Sequence, residues 1–341
     1  MKLAIFAFSF QGLETAERVR GALRGPDDTC RIYAPGRLAE EGVTAITPPL
    51  AEFTGPVFRE SDALVFVGAC GIAVRAVAPC VKDKQTDPAV ISVDELAQFV
   101  IPLLSGHIGG ANALAVRLAQ ALGATAAVTT ATDVNGRFSV DAWAAEQGLF
   151  IDDIKAAKAV SAAILEGPVP VVSDFPVPGA LPAGVVSGES GPVGFCVSWR
   201  DKRPFDTTLL LVPKVVRLGV GCRRGTSWAA ISALVDQIMA EHHIHPEAVK
   251  SVGSIDLKKD EPGLLAFCRK RGWPVHFYPA ARLEAVEGDF SPSEFVKKTT
   301  GVDNVCERAA ALGGGELIVK KTARDGVTVA AAVDHWEVRF G

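Results

Sequence analysis

Apolar strand-like runs and amphipathic helical stretches take turns along the first 134 residues, and few architectures can absorb that order. LAIFAF (3–8) precedes a helical pattern at 13–24, and CRIYA (30–34) follows as an extended piece. ALVFVG (63–68) leads into a helix at 71–78, which Pro79 stops. AVISV (89–93) and FVIPLL (99–104) read as two strands joined by a tight connection at Asp94–Gln98. The helix expected over 111–122 has Leu114, Leu118 and Leu122 at a spacing of four, with Ala115 and Ala119 beside them, so one face packs on a sheet. AAVTT (126–130) reads as another buried strand. This pattern predicts an N-terminal α/β domain over 1–135, its mainly parallel sheet covered on both faces.

Between 136 and 213 the order changes. A helical stretch runs from AWAAEQGL to about Leu165, and PVPVVSDFPVPGALPAGVVSGESGPVG then reads as short strands and turns. Alternation resumes over 214–341. RLGVGCRRGTSWAAISALVDQIM is strand, glycine loop and helix, with Thr226 or Ser227 as N-cap. SVGSIDL, VHFYP, ELIVKK and GVTVAAAV read as strands, with helices at 262–271 and 303–312. The expected fold class is α/β: N-terminal and C-terminal α/β domains with mainly parallel sheets, joined by a smaller mixed middle region. A length of 341 residues suits that division.

Composition narrows the function classes. A formal net charge of -4 gives the average surface no attraction for nucleic acid or anionic lipid, and no apolar run is long enough to span a bilayer. The N-terminal MKLAIFAFSF turns at Gln11–Gly12 into a helical pattern without a small-residue cleavage site, which reads as a first strand and not a signal peptide. The 7 cysteines, at 30, 70, 80, 196, 222, 268 and 306, are odd in number and widely spaced, with no C-x-x-C. They form neither a disulfide framework nor a zinc ribbon, and a reducing cytoplasm is the expected location.

Candidate chemistry gathers in loops expected at or near the carboxyl ends of the N-terminal strands, where open α/β sheets bind ligands. In GACGIAVRAVAP, Gly68 and Gly71 straddle a strand-to-helix turn and Arg75 lies one turn inside; the glycines either expose amides to an anion or simply permit a tight turn. KDKQTDP offers Lys82 and Lys84 around Asp83, or a solvated loop. Asp94 and Glu95 sit at the bend between two strands. SGHIGGAN is the most distinctive loop: Ser105, Gly106, Gly109 and Gly110 surround His107, and Asn112 is placed to cap the next helix. Such a loop can present amides to an oxyanion, with the imidazole as general acid or base; the bland alternative is a histidine bonded to a carbonyl. TTATD adds Thr130, Thr132 and Asp133, ordinary strand and cap residues or groups that orient the histidine.

Elsewhere, GVGCRRGTS puts Arg223 and Arg224 beside a helix start, a prospective carboxylate receptor. Lys258–Glu261 reads as a solvated run, Glu307 with Arg308 as a surface pair, and His242, His243 and His245 as residues placed favourably at a helix end, not as a metal site. No cysteine has a histidine within a few residues to activate it.

GACGIAVRAVAPCVKDKQTDPAV, VDE, LLSGHIGGANALA and VTTATD, followed by GVGCRRGTS, SIDLKKDE, GVDNVCERAAAL and GVTVAAA, resemble in content and order the cobalt-precorrin-5A hydrolase (CbiG) family of the anaerobic corrin pathway. Only 136–213 is weakly marked. One departure is the Glu95–Leu96–Ala97–Gln98 bend, where the family pattern suggests a glycine. The resemblance implies a cobalt-bearing, ring-contracted tetrapyrrole substrate whose ring A acetate is closed as a δ-lactone. Opening that lactone lets a two-carbon unit leave as acetaldehyde and yields cobalt-precorrin-5B, an intermediate of cobalamin biosynthesis. The cobalt arrives with the substrate, so the resemblance implies no cofactor and no protein metal site. Under it, His107 is the expected base and acid, Asp133 or Glu95 its orienting carboxylate, the amides of 106–110 the oxyanion donors, and Arg75, Lys82, Lys84, Arg223 and Arg224 the receptors of the substrate's carboxylate arms. The expected partners are this corrinoid and other corrin-pathway enzymes, with neither nucleic acid nor membrane. A non-catalytic corrinoid carrier is the alternative. A nucleotide-dependent transferase ranks last, because neither G-x-G-x-x-G after a strand nor G-x-x-x-x-G-K-[ST] occurs.

Overall fold

Strands buried on both faces need continuous apolar sequence, and ALVFV and AVISV supply it: every residue of both is buried. The computed structural model describes all residues except Arg24, Pro26, Glu40, Pro48, Lys84, Gln85, Ile108 and Gly341, and gives the backbone alone for Thr132, Asp133 and Phe295. Two units result, Met1–Gln147 and Gly148–Gly341.

In the first unit the strands are β1 (Lys2–Ala7), β2 (Thr29–Pro35), β3 (Val43–Ile46), β4 (Ala63–Val67), β5 (Ala89–Val93), β6 (Phe99–Leu104) and β7 (Thr125–Ala126). The helices are α1 (Phe10–Leu23), α2 (Leu50–Glu60), α3 (Cys70–Val77), α4 (Ala111–Leu122), α5 (Ala131–Val134) and α6 (Val140–Glu146). The sheet order is β3-β2-β1-β4-β5-β6-β7. β1 to β5 are parallel, but β6 returns antiparallel to β5, with Val93 opposite Val100 and Val90 opposite Leu104.

Alternation along β1 divides the core. Leu3, Ile5 and Ala7 face the Val19 and Leu118 side, beneath α1 and α4. Ala4 and Phe6 face Phe58 and Val77, beneath α2 and α3, and Phe6 stacks on Phe66 with ring centroids 4.6 Å apart. Each such fully buried aliphatic or aromatic side chain contributes about 1.5–3 kcal/mol.

Three features depart from the sequence reading. The short β3 and the proline-containing α2 are additional, the former because its pattern is mostly exposed. AAVTT is no full strand: Ala127 N–H still donates to Val100 O, but the ladder ends at Ala126 and Thr130 opens a short helix. The first unit also extends through α6, beyond the compositional break at 135.

The second unit holds two sheets. β8 (Phe150–Ile151), β9 (Val169–Ser173), β10 (Val185–Ser187), β11 (Val193–Val197) and β12 (Thr207–Val212), with α7 (Ile154–Glu166), give the order β10-β9-β11-β12-β8. β13 (Val216–Cys222), β14 (Val249–Ile255), β15 (Val275–Tyr278), β16 (Glu316–Arg324) and β17 (Val327–Val333) give β15-β14-β13-β17-β16. The accompanying helices are α8 (Trp228–Glu241), α9 (Pro262–Arg271), α10 (Ala280–Glu284), α11 (Glu294–Thr300) and α12 (Cys306–Ala311). The chain after β17 crosses back to the other sheet: Val338 N–H donates to Pro176 O, and Trp336 meets Phe175 edge-on at 4.9 Å. Residues 148–213 and 214–341 are thereby laced together. No helix among the described residues is long and apolar enough to cross a membrane.

Two surface expectations in this unit are overturned. Glu307 is fully buried and accepts from Ser291 N–H and O–H, Asn304 Nδ2 and Lys321 N–H, while Arg308 pairs with Asp303. Glu261 is buried too and accepts from Gly225 N–H at 2.7 Å, fastening the 223–227 loop to the start of α9. In both cases orphan loop amides draw a carboxylate inward.

Candidate functional site

The antiparallel return of β6 separates the sequence candidates. Glu95 lies where β5 turns into β6, at the carboxyl edge of β1 and β4; Ser9 Oγ donates to its Oε1 at 2.7 Å and Thr15 Oγ1 to its carbonyl at 2.7 Å. Gly68 is at the same edge, its amide occupied by Val93 O at 2.7 Å. Gly71 lies in the first turn of α3, and Arg75, exposed, reaches back towards Gly71 O. Ala97 takes φ 55°, which is how the bend closes without a glycine. His107 is at the opposite edge, beyond the six residues of β6, which span roughly 20 Å. Glu95 therefore cannot orient His107, and the expectation that all these loops share one edge is wrong.

What gathers around His107 is a different set. Asp87 accepts Lys82 N–H at 2.8 Å and Asp83 N–H at 3.0 Å, and its carbonyl accepts Ser105 Oγ at 2.8 Å. The Lys82 loop is thus tied to the glycine loop, with the Lys82 side chain exposed. Lys84 lies outside the described residues. The chain then returns through β7, so that Asn112 Nδ2 donates to Thr130 Oγ1 at 2.9 Å. Asn112 is not the helix cap: Gly110, at φ 76°, holds that position, and Asn112 is buried as the second residue of the first turn. The backbone of Thr132 and Asp133 belongs to α5; their side chains lie outside the description.

Among the described residues the carboxylate beside the imidazole is Asp141, which the sequence reading missed because it lies past the apparent domain boundary in an unremarkable SVDAW run. His107 Nδ1 is 3.3 Å from its carboxylate, and Ser139 Oγ donates to it at 3.0 Å. Asp141 is buried, and His107 is partly exposed. Burial pushes the Asp141 carboxyl up, but the hydrogen bond and charge of His107, then the Ser139 hydroxyl, more than offset it and hold the group below its ordinary 3.8. An ionised Asp141 accepts Nδ1–H and turns Nε2 into the basic nitrogen.

The loop backbone is shaped by its glycines. A Cβ on Gly109 would stand 2.3 Å from Ser105 Cβ, and Ser105 itself takes φ 57°. Gly110, Ala111 and Asn112 donate to the carbonyls of His107, Ser105 and Gly106, so those three amides are not available to an oxyanion. The Gly106 and Gly109 amides have no hydrogen-bond partner among the described residues.

Arg223 and Arg224 lie in the second unit, exposed at the end of β13, with no ion-pair partner among the described residues. Ser227, not Thr226, caps α8. Burial pushes the thiols of Cys196 and Cys268 up to about 12 and that of Cys306 to about 11, so none of these is a thiolate near neutrality. Among the described residues no group of three His, Cys, Asp or Glu could hold a metal ion.

Comparison with known proteins places the chain in a family. The profile of the family "Cobalamin synthesis G N-terminal" matches residues 52–133, which contain the His107 loop, and that of "Cobalamin synthesis G C-terminus" matches 216–332. Cobalt-precorrin-5A hydrolase of Salmonella typhimurium is 34% identical, with 98% of each chain covered. The chain belongs to the cobalt-precorrin-5A hydrolase family. A second member, the Priestia megaterium enzyme of the same name, is 32% identical over 96% of this chain and 94% of its own. A solved cobalamin biosynthesis protein G homologue from Sulfolobus solfataricus covers 97% of both chains at 21% identity, with a TM-score of 0.43.

Proposed function

We propose that this family member is a cobalt-precorrin-5A hydrolase that opens the ring A δ-lactone of its corrinoid substrate at the His107–Asp141 dyad, giving cobalt-precorrin-5B and acetaldehyde. The observation that carries the site assignment is the partly exposed imidazole held at 3.3 Å by a buried, ionised carboxylate, beside two glycine amides that have no partner among the described residues.

Lactone hydrolysis needs a base for water, donors for the tetrahedral oxyanion and an acid for the departing alkoxide. Nε2 of His107 takes a proton from water as the oxygen attacks the lactone carbonyl. Asp141 steadies the resulting imidazolium. The Gly106 and Gly109 amides receive the oxyanion, and the lactone C–O bond then breaks. In the second stage the alkoxide becomes the aldehyde carbonyl as the carbon–carbon bond to the ring breaks, and that electron pair stays with the macrocycle. The proton that His107 collected returns to the product. Cobalt enters and leaves as part of the substrate, and no step requires a resident cofactor. Lys82 stands at the same edge to meet a carboxylate arm. Arg223 and Arg224 lie on the second unit and are given no role at this dyad, and Arg75 and Glu95, at the other edge of the first sheet, are not part of this site.

The test is anaerobic incubation with cobalt-precorrin-5A, trapping acetaldehyde and determining the corrinoid mass. Stoichiometric spectral change without a two-carbon product would instead make the chain a carrier.

A further inference from the structure

Resting on that reading, we propose that Arg137 is a substrate-binding residue that, with Lys82, receives carboxylate arms of the corrinoid at the rim of the His107 site. Arg137 lies in the connection between α5 and α6, which neither the sequence motifs nor the matched family region at 52–133 includes. Two residues later Ser139 donates its hydroxyl to Asp141, which in turn holds His107. Two residues of chain extend at most about 7 Å, so the Arg137 backbone lies within that distance of Ser139, the residue that supports Asp141. Arg137 is exposed and has no ion-pair partner among the described residues. Gly136, at φ 59°, turns the backbone immediately before it.

The same segment shows Val134 at 67% exposure, an apolar shoulder beside a cation. That combination suits a macrocycle with an apolar face and anionic arms. Lys82 arrives at this edge from the loop after α3, fixed there through Asp87 and Ser105. A planar guanidinium grips a carboxylate through two N–H groups, whereas an ammonium acts as a point charge, so Arg137 is the more selective of the two. Because Arg137 and Ser139 share one short connection, an arm seated on Arg137 also steadies the hydroxyl that supports Asp141.

The experiment measures KM for cobalt-precorrin-5A with R137A, R137E and R137K, and the Kd of the same corrinoid by spectroscopic titration in an H107A background with and without R137E. The expected result is a KM raised about tenfold by R137A and further by R137E, with R137K retaining part of the affinity, the R137A penalty shrinking as salt is raised, and the Kd of the double variant weakened in parallel. Circular dichroism of each variant checks that the fold persists. A KM and Kd within twofold of the parent for R137E overturn the proposal. Its failure is separable from that of the underlying reading: normal turnover by H107A removes the acid–base assignment, whereas the Kd comparison judges Arg137 alone.

Discussion

Asp141 reaches back 34 residues to place its carboxylate 3.3 Å from His107 Nδ1, and the pair is completed by the hydroxyl of Ser139. If His107 carries both proton transfers, H107A lowers acetaldehyde release at least about a hundredfold. D141N keeps the shape but no longer accepts Nδ1–H as an anion, so it lowers kcat by at least about tenfold with a smaller change in KM. Steady-state assays with trapped acetaldehyde read both; a D141N enzyme with unchanged kcat would remove the carboxylate from the mechanism.

The same carboxylate makes a signed prediction about stability. Its folded pKa lies below the ordinary 3.8, so its contribution is fully present above that value and is lost as pH falls through the lower folded value. Urea unfolding of the parent between pH 7 and pH 2 therefore shows an acid limb below about pH 4 that is shallower in D141N. At neutral pH the variant is the less stable of the two. Parallel acid limbs would show that Asp141 is not held ionised by its neighbours.

Two adjacent glycines separate two physical causes. A methyl group on Gly109 has Ser105 Cβ at 2.3 Å and Ser105 O at 2.9 Å, so G109A displaces the loop that carries His107. Gly110 has open space around its would-be Cβ, and only its φ of 76° resists substitution. G110A is expected to cost about 1 kcal/mol and G109A more, with the larger loss of turnover in G109A. Thermal melts and kcat of the two variants decide it; equal effects would mean that the close approach to Ser105 relaxes without consequence.

Glu95 illustrates what the sequence could and could not disclose. Apolar runs and glycine turns revealed the alternation, and α4 and α9 fall where the spacing predicts them, because one-dimensional periodicity encodes which face is buried. The GACG and SGHIGGAN loops were visible as loops, but strand direction was not. Nothing in AVISVDELAQFVIPLL states which edge its end will reach, and β6 reverses. Asp141 was invisible for the converse reason: its role arises from a tertiary return of the chain, with no local motif. The consequence is testable. E95Q, roughly 20 Å of strand from the dyad, is expected to leave acetaldehyde release within about twofold while costing about 1 kcal/mol through the weakened Ser9 bond. A large fall in kcat at unchanged stability would return Glu95 to the chemistry.

Glu307 offers the sharpest stability test in the second unit. Its fully buried carboxylate gathers Ser291, Asn304 and Lys321 N–H, joining the loop before α11, the turn before α12 and strand β16. Removing it leaves the part-buried Ser291 N–H, Ser291 O–H and Lys321 N–H without this acceptor, and a donor that water does not reach costs about 1–3 kcal/mol. E307A is accordingly expected to lose about 2–3 kcal/mol, whereas E307Q, which still offers a carbonyl oxygen, loses less. Urea midpoints of the two variants give the comparison directly. The dyad belongs to the first unit, so a folded E307Q retains acetaldehyde release. If E307A unfolds at the same urea concentration as the parent, water replaces the carboxylate and the buried network is not what fastens these three segments.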